Sequence, residues 1–163
     1  TDYKKALNEF YASEYNRRSS MAAALHIFAK LAACDIKIKN NLPTEKELSI
    51  FEEKIKDNKF KTQLIENEHL RWNTYMRSEG YIVADFETMM TYAGTTKSHK
   101  NESAKLHPCI LDCDELNQFQ QKYNSEYAKL NLPKKDFKQN DTLIVSQIPQ
   151  IVKNATTFME EGF

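Results

Sequence analysis

Residues 60–80, FKTQLIENEHLRWNTYMRSEG, decide the class of fold. Ile65, His69, Trp72 and Met76 recur at steps of four, three and four, the spacing of one face of an α-helix. Gly80 stands where a left-handed C-cap ends such a helix. The pattern predicts a helix over 60–79, with His69 on its buried side beside the only tryptophan of the chain.

Working outward, the flanking segments read the same way. Residues 2–15 place Leu7, Phe10, Tyr11 and Tyr15 at near-helical spacing, and Ser19 or Ser20 caps SSMAAALHIFAKLAAC, which is apolar on most faces and is expected deep in the core with His26 inside it. Asn40, Asn41 and Pro43 break the chain, and Thr44 with Glu47 forms a capping box for a peripheral helix carrying Leu48, Phe51 and Ile55. After Gly80 the periodicity fades. Residues 87–104 are expected to form a long polar loop or flap, preceded at most by a short strand or β-hairpin. Asp112 and Glu115 form a second capping box, opening a helix to about residue 129, and a last helix spans Asp141 to Phe158 with a kink or break at Pro149. The expectation is a mainly α fold of five to six helices in one compact domain over 1–163, a helical flank at 1–58 and a motif region at 60–155.

Composition bounds the function. The 163 residues hold 23 basic and 23 acidic side chains, a formal charge of +0, without the basic excess that binding bulk nucleic acid requires. Cys34, Cys109 and Cys113 are odd in number and widely spaced, which reads as free thiols in a reducing compartment and hence a cytoplasmic protein or the cytosolic part of a membrane-anchored one. A start at Thr1 rather than Met suggests a piece of a longer chain.

Three glycines cannot line a phosphate loop, and none of the nucleotide-binding, serine-hydrolase or zinc-protease motifs is present. The run Leu106-His107-Pro108-Cys109-Ile110-Leu111-Asp112-Cys113-Asp114 gathers metal-ligand types without a CxxC pair, so no metal or other cofactor is expected. His107 beside Cys109 or Cys113 does not make a triad, and an enzyme is not expected. Only four of the 23 basic residues are arginines, and they fall in two places: Arg17 and Arg18 before the apolar helix, Arg71 and Arg77 around Trp72. A planar, bidentate guanidinium suits phosphate or carboxylate. Glu68, Arg71, Trp72 and Tyr75 lie on adjacent helical rows, a surface suited to a flat charged ligand, while the same arginines could instead pair with Glu14, Glu66 or Glu68 and the aromatics could be core.

Glu68-His69-Leu70-Arg71-Trp72 leading to Gly80-Tyr81, then Leu106-His107-Pro108, Leu116, Asp141 and Ile148-Pro149, resemble in order and spacing the RyR domain, the repeat named after ryanodine receptors and found also in bacterial proteins. Asn16-Arg17-Arg18-Ser19-Ser20 with Ala24, His26-Ile27 and Lys30-Leu31 resembles the segment that precedes the bacterial versions, so the likeness covers about residues 10–155. Leu70 stands where the family usually has Glu, and Tyr81 where it usually has Trp. The resemblance implies a helical, non-enzymatic module, and its bacterial versions occur in nucleotide-signalling and antiphage contexts. The resulting expectation is a sensor of a nucleotide-type signal, such as a cyclic oligonucleotide, regulating an effector or membrane segment outside residues 1–163. Arg17, Arg18 and Arg71 would contact phosphate, Trp72 and Tyr75 would stack on a base, and Lys105 and His107 would close the site as the loop orders. His26 and His69 would be structural or pocket-lining. The alternative is a protein-interaction or homo-oligomerisation module with no small ligand.

Overall fold

The computed structural model describes residues 3–36, 42–96, 100–129, 131 and 133–160. Within them the protein is mainly α: α1 (Tyr3–Ala12), α2 (Glu14–Leu25), α3 (Ile27–Ala32), α4 (Glu45–Lys54), α5 (Asn58–Ser78), α6 (Phe86–Thr96), α7 (Cys113–Lys129) and α8 (Gln139–Glu160). The expected break at Asn40 and Asn41 and the loop residues 97–99 lie outside the described residues. Two compact units are distinguished, Thr1–Glu68 with Asn140–Phe163 and His69–Gln139, so α5 belongs to the first up to Glu68 and to the second from His69.

The first unit is built on an apolar cluster of Ile27, Leu31, Cys34, Ile36, Leu48, Phe51, Leu64, Val145, Ile148 and Val152. Its α4 is opened by the capping box read from sequence: Thr44 N donates to Glu47 Oε2 at 2.7 Å and Glu47 N to Thr44 Oγ1 at 3.3 Å. That helix is less peripheral than expected, because its stripe is narrow but Leu48 and Phe51 are fully covered. The apolar segment 19–34 is less deeply enclosed than expected. It divides at His26, which is exposed rather than enclosed, and only one row, Ala23, Ile27, Lys30, Leu31 and Cys34, is buried. Alanines together with Met21, Leu25 and Phe28 on the other rows make nearly every face read apolar, while one face alone meets the core. Pro149 does not end α8, which continues from Gln139 to Glu160 with Pro149 buried in it.

The second unit packs Ala84, Met89, Ala93, Tyr123 and Tyr127 into a second cluster, with Phe86, Phe119 and Phe137 against it. Here α6 stands in place of the long polar loop expected over 87–104 as far as Thr96, and residues 100–104 lie outside any helix. Asp85 Oδ1 accepts from Thr88 N at 2.8 Å and caps the helix, and Phe86, Met89, Met90 and Ala93 give it an apolar face. Threonines and Gly94 lower its helix propensity, and tertiary burial overrides that preference. The hairpin does not form either: among the described residues only the isolated bridges Ile82 to Leu106 and Asn101 to Leu106 occur. The second capping box is present, with Asp112 N donating to Glu115 Oε2 at 3.2 Å and Glu115 N to Asp112 Oδ1 at 2.8 Å.

Candidate functional site

The candidate site belongs to the second unit and joins the C-terminal half of α5 to the segment 101–112. That segment is irregular, yet His107, Pro108, Cys109 and Ile110 are buried, so its backbone carbonyls require partners away from water. One row of α5 supplies them. His69 Nε2 lies 2.9 Å from Leu111 O, Asn73 Nδ2 donates to the same carbonyl, and Arg77 NH2 donates to Ile110 O at 3.2 Å. The three residues are spaced i, i+4, i+8, so a single helical row clamps two consecutive carbonyls. His69 contacts Leu111 O as a donor, which places a proton on Nε2.

The other end of the segment is held by backbone. Ile82 N donates to Lys105 O at 2.9 Å and His107 N to Ile82 O at 3.1 Å. Gly80 adopts φ 84, the left-handed C-cap that turns the chain from α5 into this contact. Lys105 Nζ sits 4.6 Å from the centre of the Tyr81 ring. Burial first, and then the nearby carboxylate of Glu102, pushes the Tyr81 phenol up from its ordinary value.

Of the residues expected in the site, His69, Trp72 and His107 form one aromatic group. Trp72 stacks on His69 with centroids 5.9 Å apart and meets His107 edge-on at 4.8 Å. His107 Nδ1 accepts from Cys109 N at 3.2 Å, so its role is tied to the backbone of its own loop. Arg71, Trp72 and Tyr75 are half-buried on α5. Arg17 and Arg18 belong to the first unit, where Arg18 NH1 lies 3.7 Å from Glu14 Oε1, the ion-pair reading of that arginine. Glu68 is removed from the ligand surface, because it is fully buried against Lys30.

The clamp role of Asn73 and Arg77 was not read from sequence, although polar residues at 69, 73 and 77 on one row of a half-apolar helix are its signal. Near the segment, Thr88, Met89, Tyr92, Lys100 and Leu106 line a cavity of about 30 Å³, room for about one water. Among the described residues no three His, Cys, Asp or Glu side chains come together as a metal site, and no helix is long and apolar enough to cross a membrane. No family model, curated protein or solved structure matches the chain.

Proposed function

We propose that the chain is a non-enzymatic sensor module that binds a nucleotide-type ligand on the Arg71, Trp72 and Tyr75 face of α5 and regulates an attached effector. The observation that carries this reading is a division of labour on one helix. His69, Asn73 and Arg77 each contact the Ile110 or Leu111 carbonyl, and Arg71, Trp72 and Tyr75 are half-buried on other rows of the same helix. A cation and two aromatic faces on a clamped helix are pre-organised for a flat anion, since little side-chain or backbone freedom is lost on binding. Arg71 would take phosphate and Trp72 and Tyr75 a base. Residues 86–96 are helix, so the segment 87–104 does not close over the ligand as a loop. The RyR-like order of motifs supports the same reading.

A thermal-shift screen against ATP, NAD, ADP-ribose and cyclic di- and trinucleotides tests it. Ligand at roughly 100 times its dissociation constant adds about 2.7 kcal/mol, a rise of several degrees. The expected result is one hit that is lost in both Arg71→Ala and Tyr75→Ala. A panel without a shift, or a hit that both variants retain, removes this assignment.

A further inference from the structure

Two isolated bridges lay three short stretches of the second unit side by side. Ile82 pairs with Leu106 and Leu106 with Asn101, so Leu106 is central while Ile82 and Asn101 lie at the two edges. The Asn101 edge is guarded: its neighbours Lys100 and Glu102 form an ion pair at 2.8 Å, and charges on an edge discourage a further chain from pairing there. The Ile82 edge has no such guard. Residues 81–84 are Tyr-Ile-Val-Ala, without Lys, Pro or Gly, and Ile82 is 61% and Val83 38% exposed.

Backbone alternation decides which polar groups face outward. Ile82 N donates to Lys105 O, Ile82 O accepts from His107 N, and Ala84 N donates to His107 O at 3.4 Å, so both residues turn these groups inward. Val83 between them turns its N–H and C=O the other way, and neither has a hydrogen-bond partner among the described residues. An outward donor and acceptor on one extended residue match the backbone of another extended chain.

The same stretch in a second copy offers that complement. Run antiparallel about Val83, two copies exchange the Val83 N–H and C=O as a hydrogen-bonded pair. Tyr81 then lies opposite the partner's Asp85 and Ile82 opposite the partner's Ala84, so no like charges meet across the seam. The pairing closes on itself about a two-fold axis and leaves the guarded Asn101 edges outermost, which stops further growth.

We propose that the Val83 edge is a self-pairing surface, on which a second copy of the chain docks antiparallel with each Val83 bonded to the partner's Val83. The edge is about five residues long, far smaller than a standard interface, so the expected dissociation constant is about 0.1–1 mM. Nothing in it depends on the nucleotide reading, which concerns Arg71, Trp72 and Tyr75.

Sedimentation equilibrium of the full chain up to about 2 mM, with hydrogen exchange of the Val83 amide followed by NMR over the same range, tests the proposal. Val83→Pro removes the outward N–H, and its fixed φ suits an extended stretch. Val83→Lys keeps the N–H and sets two ammonium groups against each other. Since Val83 makes no hydrogen bond among the described residues, both variants are expected to fold as the parent does. The expected result is a concentration-dependent dimer, weakened roughly tenfold or more in each variant, whose Val83 amide exchanges more slowly as the dimer fills. A monomer at every concentration overturns the proposal, whatever peptide the edge then accepts. So does a dimer that both variants retain, or a Val83 amide whose exchange is indifferent to concentration.

Discussion

Lys30 on α3 meets Glu68 on α5 inside the first unit, ammonium to carboxylate at 2.5 Å, with the two side chains 4% and 0% exposed. Lys30 Nζ makes no hydrogen bond of good angle among the described residues, so Coulomb attraction to Glu68 is what offsets its burial. Removing one partner leaves the other charge buried without its counter-ion. Glu68→Gln and Lys30→Met are each expected to destabilise the chain by about 3–5 kcal/mol, whereas Lys30→Met with Glu68→Leu together recovers most of that loss. Urea unfolding of the four proteins measures the cycle. Single variants within about 0.5 kcal/mol of the parent would show that water reaches the pair.

Asn73 supplies the middle contact of the clamp, and its Oδ1 is buried with no hydrogen-bond partner among the described residues. Its amide therefore gains one bond and leaves one acceptor unsatisfied, a near balance. Asn73→Leu should cost no more than about 1.5 kcal/mol, losing one donor to Leu111 O while removing the orphaned acceptor. Asn73→Asp should cost about 3 kcal/mol or more, because it sets a carboxylate oxygen against the carbonyl and buries a charge. Denaturant midpoints at neutral pH decide it, and equal losses in the two variants would contradict the contact.

These interactions divide what was legible in the sequence from what was not. The Gly80 C-cap and the Thr44-Glu47 and Asp112-Glu115 boxes are local, needing only residues within a few positions, and they occur as read. The α5 row 65-69-72-76 was legible for the same reason. What escaped depends on partners distant in sequence. Glu68 reads as one carboxylate of an exposed helix until Lys30 arrives 38 positions away, and α6 looks like a loop until Tyr123 and Tyr127 cover its Met89 face. Of the expected site, the grouping of His69, Trp72 and His107 was partly visible as motif residues, but their mutual packing was not, since it requires the fold of segment 101–112.

Asp85 gives α6 a pH-dependent start. Its carboxylate accepts from the Thr88 side chain and backbone, which holds its pKa below the usual carboxylate range. A depressed folded pKa contributes stability above the unfolded value, about 3.9, that is lost as pH falls through the lower folded value. The parent should thus lose α6 helicity below about pH 4. Asp85→Asn, which keeps a capping oxygen without a titrating group, should lose less over the same range. Far-ultraviolet circular dichroism between neutral and acid pH checks this, and parallel acid curves for the two proteins would exclude Asp85 as the cause.

Tyr123 is fully buried against Tyr127, with ring centroids 3.8 Å apart, and its hydroxyl has no partner at hydrogen-bonding geometry among the described residues. Burial pushes its phenol well above the ordinary tyrosine range. With the folded pKa raised, the contribution to stability is complete below the unfolded value of about 10 and declines at higher pH, where the unfolded chain loses the proton and the folded one does not. Alkali therefore pulls on the unfolded state through Tyr123. Tyr123→Phe should be within about 1 kcal/mol of the parent at neutral pH, since no hydrogen bond is lost and the ring packing is kept. In alkali the variant should unfold at a higher pH than the parent. Phenolate absorbance followed together with circular dichroism supplies the test. If Tyr123→Phe instead costs about 2 kcal/mol at pH 7, the hydroxyl is engaged in the folded chain and the argument from its burial fails.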